Sequence, residues 1–575
     1  MSAENPIPDS YSIEDHDVAT APNGGRAHKS LIDQTRRLEL KLWSVCDRVW
    51  TVVGNGLSNQ SFVEGPEGLI VIDTGECVEE MAAALQMVRE HTSAPVAGVI
   101  YTHYHYVSGT KALFDTAEVP IWGHAKIATN LSKVGTELSA AAGRGIIHQF
   151  GVWLPDTGED ALVNAGLGLG YRNKAHAPYT SGFIAPTHTF DQPTSTTIAG
   201  LKVEFTPAPS DSDDSVTVWF PELGVAAHNI LWPALFNVFA IRGEEYRDPR
   251  VLLTGLDHLA SLGAQHLIAT HGPPLSGAEA ILAETTTFRD SIQFMWDQTV
   301  RGINKGLSVD ELSQFVQLPD CYGQSFFTQQ HYGLVEHHVK QIHAGLRGWF
   351  DGDEARLFPV PPAEKAKRLI AGFGGRDVVR AQVRRALDEL DLRWALELAS
   401  WLVHCDTDDS GRADGGSSAD RQLLAFVLRE AAQRTTSANV RNWALTRALE
   451  LEGHLDMTRH RQHRFGAAAV AANPVGAFHA LRVLVEPSKV PSAPVHLSIE
   501  LEDERAGLVL RNGVAVPTDG VGADIGISTD VATLAALMAG RATLSELIAS
   551  GAIRTDNSEG VVEFFAAFDH QGLTG

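Results

Sequence analysis

The chain has 575 residues, of which 44% are hydrophobic and 20% charged, and this composition predicts a globular protein of about three domains. Its net charge of −24 argues against nucleic acid or an anionic membrane as the main partner, because both attract clustered lysine and arginine. The sequence shows no secretory signal, no long apolar run and no paired cysteine spacing. We therefore expect a cytoplasmic protein without stable membrane insertion.

The first predicted elements follow a polar tail. Short apolar and β-branched runs at 48–53, 60–64 and 68–73 predict successive strands, with glycines at the turns. A helix is predicted over 78–91, and an apolar strand over 96–102 places His103 at its carboxyl end. Polar residues at the tip of such a strand are typical of an active site in an α/β fold.

The middle and end of the chain change character twice. Glycine-rich residues 164–171 predict a long surface loop, and strands resume before the pattern becomes helical from about residue 285 to 465. The last hundred residues alternate strands at 495–500 and 507–511 with a helix over 530–539, which predicts an α+β module.

His103 and His105 are the strongest chemical signal. On an extended segment, residues two apart point to the same side, and imidazole is a preferred ligand of zinc. The pair therefore indicates a metal site. Asp73 ends a neighbouring apolar strand and is expected to orient a metal ligand from behind, with a simple helix cap as the alternative.

From about Leu38 to the C-terminus the chain resembles the alkylsulfatase branch of the metallo-β-lactamase superfamily. The residues that carry this resemblance in the first half are Leu57-Ser-Asn59, Val71-Ile-Asp73, Thr102-His-Tyr-His105, Ala165-Gly-Leu-Gly168, Ile184-Ala-Pro-Thr187 and Ile241-Arg-Gly243. The segments that resemble the family's dimerisation and sterol-carrier-protein-like domains are Tyr332-Gly-Leu-Val-Glu-His337, Gly348-Trp-Phe-Asp-Gly352, Arg393-Trp-Ala395, Leu510-Arg-Asn-Gly513, 532–540 and 544–551.

The resemblance implies an α/β fold with three domains. A polar N-terminal tail over 1–37 would precede a metallo-β-lactamase αββα sandwich over 38–285. An all-α helical dimerisation domain over 286–465 and an α+β sterol-carrier-like domain over 466–575 would follow. The resemblance also implies a homodimer.

The metal-ligand set implied by the resemblance is reduced. The family's strand-end motif reads His-x-His-x-Asp-His, whereas Val107 and Ser108 stand where its second half belongs. The later histidine of the family corresponds to His271. Because the second site has lost most of its donors, we expect one metal, or a rearranged pair, in place of a symmetric two-metal centre.

Two later residues complete the expected first site. Asp211 stands where the family has its first carboxylate, and His228 aligns with the second carboxylate, or Asn229 if no insertion is allowed. We expect His103, His105, Asp211 and His228 to hold one metal, zinc in the first instance, with iron or another transition metal as alternatives. Catalytic roles are assigned to Asp211 and His228.

Arg242 resembles the family's sulfate-binding arginine, and the polar Asn237 precedes it; both are expected to bind substrate. The aromatic residues Trp232, Phe236 and Phe239 near them would line a pocket for an alkyl chain or simply pack in the core. The implied reaction is hydrolysis of an alkyl sulfate ester, or a related small amphiphilic anion, by water that the metal activates. The alternatives are the same scaffold with different metal chemistry, such as a lyase, decarboxylase or oxidative step, and a non-catalytic lipid-binding protein.

Overall fold

The computed structural model describes residues 10–114, 118–408, 411–502 and 504–574. Its contacts divide the chain into two units, one made of Met1–His124 with Gly145–Asp456 and the other of Ala125–Arg144 with Met457–Gly575. Within the described ranges, no helix is both long and apolar enough to cross a lipid bilayer.

The first unit contains a two-stranded sheet of Val18–Thr20 and Arg26–His28, and two larger β-sheets whose strands follow one another in chain order. The seven-stranded sheet is formed by Lys41–Cys46, Val49–Val53, Gln60–Gly65, Gly68–Ile72, Val96–Ile100, Ile121–His124 and His188–Phe190. The six-stranded sheet is formed by Thr194–Ile198, Leu201–Pro207, Val216–Phe220, Val225–His228, His266–Ala269 and Leu275–Ser276. Valine, isoleucine and phenylalanine side chains from both sheets form one buried cluster, so the sheets pack face to face.

The pairing directions explain where the candidate site lies. Gly68–Ile72, Val96–Ile100 and Ile121–His124 are parallel, and the first of these is buried along its whole length. A strand covered on both faces needs an uninterrupted apolar run, which this sequence supplies. Parallel strands share one carboxyl edge, and the polar residues that follow Ile72 and Ile100 therefore meet there.

Helices cover the sheets and make up the remainder of the first unit. They are Lys29–Arg37, Val78–Val88, Pro249–Ser261, Ala278–Asn304, Val309–Phe315, Val335–Arg347, Pro362–Gly372, Arg376–Asp388, Leu392–His404, Ser418–Arg434 and Ala438–Leu451. Several begin at a side-chain cap; for example, Asp391 accepts a hydrogen bond from the backbone N–H of Trp394. The helix Ser139–Gln149 includes residues of both units.

The second unit contains a four-stranded sheet and short helices. The strand Val495–Leu501 lies between Glu504–Arg511 and Ile525–Thr529, and Val514–Thr518 forms one edge. The helices are Ile127–Thr136, Thr458–Arg461, Ala467–Ala472, Pro474–Ala480, Val531–Met538, Leu544–Ala549, Ser558–Phe565 and Gln571–Thr574. The αββα sandwich, the helical region and the C-terminal sheet with helices agree with the fold class expected from the sequence. The three domain boundaries and the sterol-carrier likeness stay predictions.

Candidate metal centre

Asp73 fixes the backbone at the point where the two histidines leave the sheet. Its Oδ1 accepts a hydrogen bond from the backbone N–H of Thr102 at 2.8 Å, and its Oδ2 accepts one from the Thr102 hydroxyl at 2.7 Å. The Thr102 oxygen lies 2.9 Å from Nδ1 of His103. Because the hydroxyl already donates to Asp73, it accepts from His103, which leaves a lone pair on the Nε2 atom of that histidine.

Three donor atoms converge in front of this support. The His105 Nδ1 atom lies 3.1 Å from His103 Nε2 and 2.6 Å from Asp211 Oδ2. His103 Nε2 and Asp211 Oδ2 are 3.4 Å apart. His103 and Asp211 are buried, and His105 is nearly so. Two imidazole nitrogens and a carboxylate oxygen are the ligand types of catalytic zinc sites, and three lone pairs at such separations favour a shared cation. The residues present therefore fit a single metal ion.

Arg247 holds the carboxylate of this group from the opposite side. Its Nε donates to the Asp211 carbonyl oxygen at 3.0 Å, and its Nη2 pairs with Asp211 Oδ1. Burial alone would raise the pKa of Asp211, but Arg247 and the two histidines outweigh burial and hold that pKa well below its usual range. Asp211 is therefore a carboxylate at any ordinary pH. Arg247 was not selected from the sequence, because its partner Asp211 is 36 residues away.

His228 and Asn229, the alternatives for the fourth ligand, lie outside this group of three. The ring of His228 is buried, and its Nδ1 accepts weak hydrogen bonds, each 3.4 Å long, from the backbone N–H groups of Ile230 and Leu231. Burial lowers the pKa of His228 to about 3, so the ring is neutral. The Asn229 carbonyl accepts from the Ser210 hydroxyl. A ligand role for His228 stays a proposal.

His271 follows the strand His266–Ala269, and its ring contacts the ring of Tyr106. Its Nδ1 lies 3.0 Å from the Leu57 carbonyl oxygen and donates to it, and its Nε2 lies 3.5 Å from the Tyr106 hydroxyl. The Tyr106 ring stands edge-on to the rings of His103, His105 and His271. Tyr106 therefore contacts all three histidine rings, and His271 is not part of the converging group of His103, His105 and Asp211. Tyr106 was not among the residues selected from the sequence, where it appeared as one more aromatic residue.

Val107 and Ser108 supply no metal ligands. The Val107 side chain is buried in the apolar interior, and Ser108 is held through its backbone, with its N–H bound to Gly75 and its carbonyl to Gly182. The stretch that carries an aspartate and a histidine in the expected family motif thus serves a packing role here.

Arg242 and Asn237 lie on one loop; Asn237 is buried, and Arg242 is partly buried. Arg242 pairs through Nη1 with Glu244, and its Nε has no hydrogen-bond partner among the described residues. Burial would lower the pKa of Arg242, but the Glu244 carboxylate raises it, so the guanidinium keeps its charge. Neither amide atom of Asn237 has a partner within the described part of the chain. Among the neighbouring aromatic residues, Trp232 and Phe236 are core residues with at most 1% exposure.

A second group of possible ligands contains Cys77, Glu80 and His176, with donor atoms within 4.8 Å of one another. The oxygens of Glu80 are already used, since Oε1 accepts from Gln60 Nε2 at 2.8 Å and Oε2 accepts from the Glu76 N–H at 3.2 Å. Burial raises the pKa of Glu80 to about 8. Internal hydrogen bonds therefore account for the Glu80 carboxyl, whereas the Nδ1 atom of His176 has no hydrogen-bond partner among the described residues.

Comparison with known proteins agrees with this geometry. Residues 53–227 match the model of the metallo-beta-lactamase superfamily, and residues 308–454 match the alkyl sulfatase dimerisation model. A linear primary-alkylsulfatase from Pseudomonas sp. is 34% identical over 537 residues, which cover 88% of this chain and 98% of the relative. An (R)-specific secondary-alkylsulfatase from Pseudomonas sp. is 28% identical over 588 residues, or 97% of this chain and 84% of that protein.

The chain belongs to the alkylsulfatase family of the metallo-β-lactamase superfamily. The solved structure of the stereoselective inverting sec-alkylsulfatase Pisa1 from Pseudomonas sp. superimposes with a TM-score of 0.84 at 25% identity, covering 95% of this chain and 88% of that one. The family expected from the sequence is thus confirmed, as is the hydrolase class of its members. The alkylsulfatase scaffold is retained from end to end, although its strand-end motif differs at Val107 and Ser108.

Proposed function

We propose that this protein hydrolyses alkyl sulfate esters, with water and the ester giving an alcohol and hydrogen sulfate. The observation that carries the proposal is the convergence of His103, His105 and Asp211 at a strand tip, in a chain whose relatives are named alkylsulfatases. These three residues would hold one metal ion per chain, zinc in the first instance. When bound, such an ion supplies Lewis-acid activation of water.

The protein groups around the centre have separable roles. Asp73 and Thr102 hold the His103 ring with its lone pair facing Asp211. Arg247 keeps Asp211 ionised and fixed in direction. Arg242 supplies the positive charge for the sulfate group, because its fork of donors suits a tetrahedral oxyanion.

A pocket beside Arg242 is the site that we propose for the alkyl part of the substrate. Phe239 and Ile241 border a surface pocket of about 250 Å³ together with His337 and Lys340. Trp232 and Phe236 are fully buried and cannot contribute to it. Of the three aromatic residues Trp232, Phe236 and Phe239, we therefore propose that only Phe239 contacts the apolar chain of a small amphiphilic substrate.

We also propose that the protein is a homodimer that works in the cytoplasm. The match to the dimerisation model over 308–454 supports the dimer. The four cysteines Cys46, Cys77, Cys321 and Cys405 are all free, which suits a reducing compartment.

One observation favours a second candidate, different metal chemistry on the same scaffold. The loss of ligands at Val107 and Ser108 leaves two histidines and one carboxylate, and such a set with open positions also suits iron. Under this reading the substrate is still an apolar anion, but no sulfate is released.

Sulfate release from medium-chain primary and secondary alkyl sulfates separates the two. Purified, metal-loaded protein is expected to release sulfate, and H103A protein is expected to release none. Turnover that depends on His103 without sulfate release would place the second candidate first.

A further inference from the structure

The second group of possible ligands, Cys77, Glu80 and His176, contains an unsatisfied polar atom. All three residues are at most 5% exposed, and one donor atom of each lies within 4.8 Å of the other two. The Nδ1 atom of His176 is buried and has no hydrogen-bond partner in the part of the chain that the structure describes. Because a buried ring nitrogen without a partner costs free energy, this group points to a bound ligand.

The chemistry of the three donors suits zinc. Thiolate sulfur, imidazole nitrogen and carboxylate oxygen are all zinc ligands, whereas magnesium and calcium prefer oxygen alone. Cys77 directly precedes the helix Val78–Val88, and Glu80 lies in the first turn of that helix, so one rigid element supplies two donors. His176 supplies the third from a distant loop, where it ends the short 3-10 helix Lys174–His176.

Hydrogen bonds already hold this loop against the start of the helix. The Thr180 carbonyl oxygen accepts from the Val78 N–H at 2.9 Å. The Glu79 carboxylate accepts from the backbone N–H of Thr180 at 2.9 Å and from its hydroxyl at 2.6 Å. A cation would therefore meet donors that are already close together and would not have to order the loop first.

Glu80 keeps lone pairs for a cation although both of its oxygens accept hydrogen bonds. Each oxygen has two lone pairs and one partner, Gln60 Nε2 or the Glu76 N–H. A cation would displace the protons of the Glu80 carboxyl and the Cys77 thiol, and both protons would pass to water. Asp211 is already ionised, so we expect this group to bind a cation less tightly than the centre at His103 does.

We propose that Cys77, Glu80 and His176 form a second, weaker metal site for zinc, and that a bound ion fastens the loop around His176 to the helix Val78–Val88. The site uses none of the donors at His103, and it does not depend on the reaction proposed for that centre. It fills when zinc is present beyond the amount that the first centre holds.

Cobalt(II) chloride is the probe, because a cobalt–thiolate bond gives a near-ultraviolet charge-transfer band that histidine and carboxylate ligands do not give. Titration of the full-length protein carrying one zinc per chain should raise this band up to one further equivalent, and excess zinc should remove it. C77S should abolish the band. H176A should need at least about tenfold more cobalt, since even the loss of a group behind a ligand costs that much. Cys405 is also buried but belongs to no group of possible ligands among the described residues, so C405S is the matched control and should keep the band.

H103A protein distinguishes this site from the first centre. It should lose the tightly bound metal and still develop the cobalt–thiolate band. Thermal melting checks that each variant is folded, and H176A keeps the test decisive if C77S is not. A wild-type protein without the band, or a band that survives unchanged in both C77S and H176A, would overturn the site whether or not the protein releases sulfate.

Limited digestion with trypsin tests the effect of the ion on the loop. Arg172 and Lys174 are exposed cleavage sites within it. Excess zinc should slow cleavage after these residues in the wild type and in C405S, but not in C77S. Equal cleavage of the wild type with and without zinc would overturn the fastening of the loop.

Discussion

Asp211 contacts both histidines of the candidate centre through Oδ2 and Arg247 through Oδ1. The Asp211 carboxylate therefore connects the two histidines to the positive charge of Arg247. That charge offsets the free-energy cost of burying the carboxylate. His271 has no such connection, since its Nε2 faces the Tyr106 hydroxyl. The residues around Asp211 thus differ in how much each is expected to contribute to metal binding.

We predict about one tightly bound metal per chain, lost in H103A and in H105A. His271→Ala should retain most of the metal, because the Nε2 atom of His271 faces the Tyr106 hydroxyl and His271 is not part of the converging donor group. Elemental analysis of the purified proteins gives the stoichiometry, and activity should follow it. Two equally tight equivalents in the wild type, or complete loss of metal in H271A, would contradict the single-site model.

Arg242→Ala is expected to raise KM for an alkyl sulfate while metal content stays unchanged. Removing a charge-assisted clamp costs roughly 1.5–3 kcal/mol, which corresponds to about a 10- to 150-fold change. Arg250 follows on the same chain segment but is exposed and pairs with Asp248, so R250A serves as the control. An unchanged KM in R242A would remove Arg242 from substrate binding.

The sequence predicted the part of the site that local patterns encode. His103 and His105 follow an apolar strand, and their residue types indicated a metal site. The two rings meet because the chain turns into the 3-10 helix Tyr104–Tyr106, and not because the segment is extended as expected. Arg247 and Tyr106 were not selected, because each acts through contacts between distant chain segments, which no local pattern shows. His228 was selected because it aligns with the family's second carboxylate, but the direction of its ring depends on backbone N–H groups beyond its strand.

At the scale of elements, the helix Val78–Val88 begins beside the candidate site and carries a buried carboxyl group. Burial raises the pKa of Glu80 to about 8, and the neighbouring Glu76 adds to the rise. An ordinary glutamate has a pKa of about 4.3, so between that pH and about 8 the folded state holds a proton that the unfolded chain releases. Stability therefore falls as pH rises through this window.

Glu80→Gln is expected to reduce the loss of stability that accompanies rising pH. Thermal melting from pH 5 to pH 8 should show the variant gaining on the wild type as pH rises, because an amide has no proton to lose. Part of the slope should remain, since burial also raises the pKa of Glu76 to about 7. Glu79, whose pKa the Thr180 hydroxyl lowers, is the matched control: E79Q should show no such gain. Parallel curves for E80Q and the wild type would show that Glu80 is ionised throughout.

Most strands and helices could be predicted because the hydrophobic periodicity and the residue composition of a segment indicate the same type of secondary structure. The predicted helix over 530–539 contains Val531–Met538, and the predicted strand over 96–102 contains Val96–Ile100. Short strands such as Ile121–His124 were not selected, because four residues give too short a pattern. The place of this strand in the sheet comes from its pairing with Val96–Ile100 on one side and His188–Phe190 on the other.

For the whole molecule, the helical region leaves large apolar side chains in water. Phe358 is 92% exposed and Trp349 is 68% exposed, and both lie within the segment that matches the dimerisation model. Exposed apolar surface of this kind favours a partner that covers it. The net charge of −24 opposes association of two chains, so burial of the apolar side chains has to outweigh that repulsion. A second copy of the chain is the partner that the family match indicates.

We predict that light scattering at micromolar concentration reports twice the chain mass of 62.0 kDa. Placing aspartate at both Trp349 and Phe358 should shift the protein to the monomer, because each buried carboxylate would have to be desolvated without a partner. Val521 is 65% exposed but lies outside the dimerisation segment, so V521D should remain dimeric. A wild-type monomer would refute the dimer itself, whereas a dimer that survives W349D/F358D would place the interface on another face of the helical region.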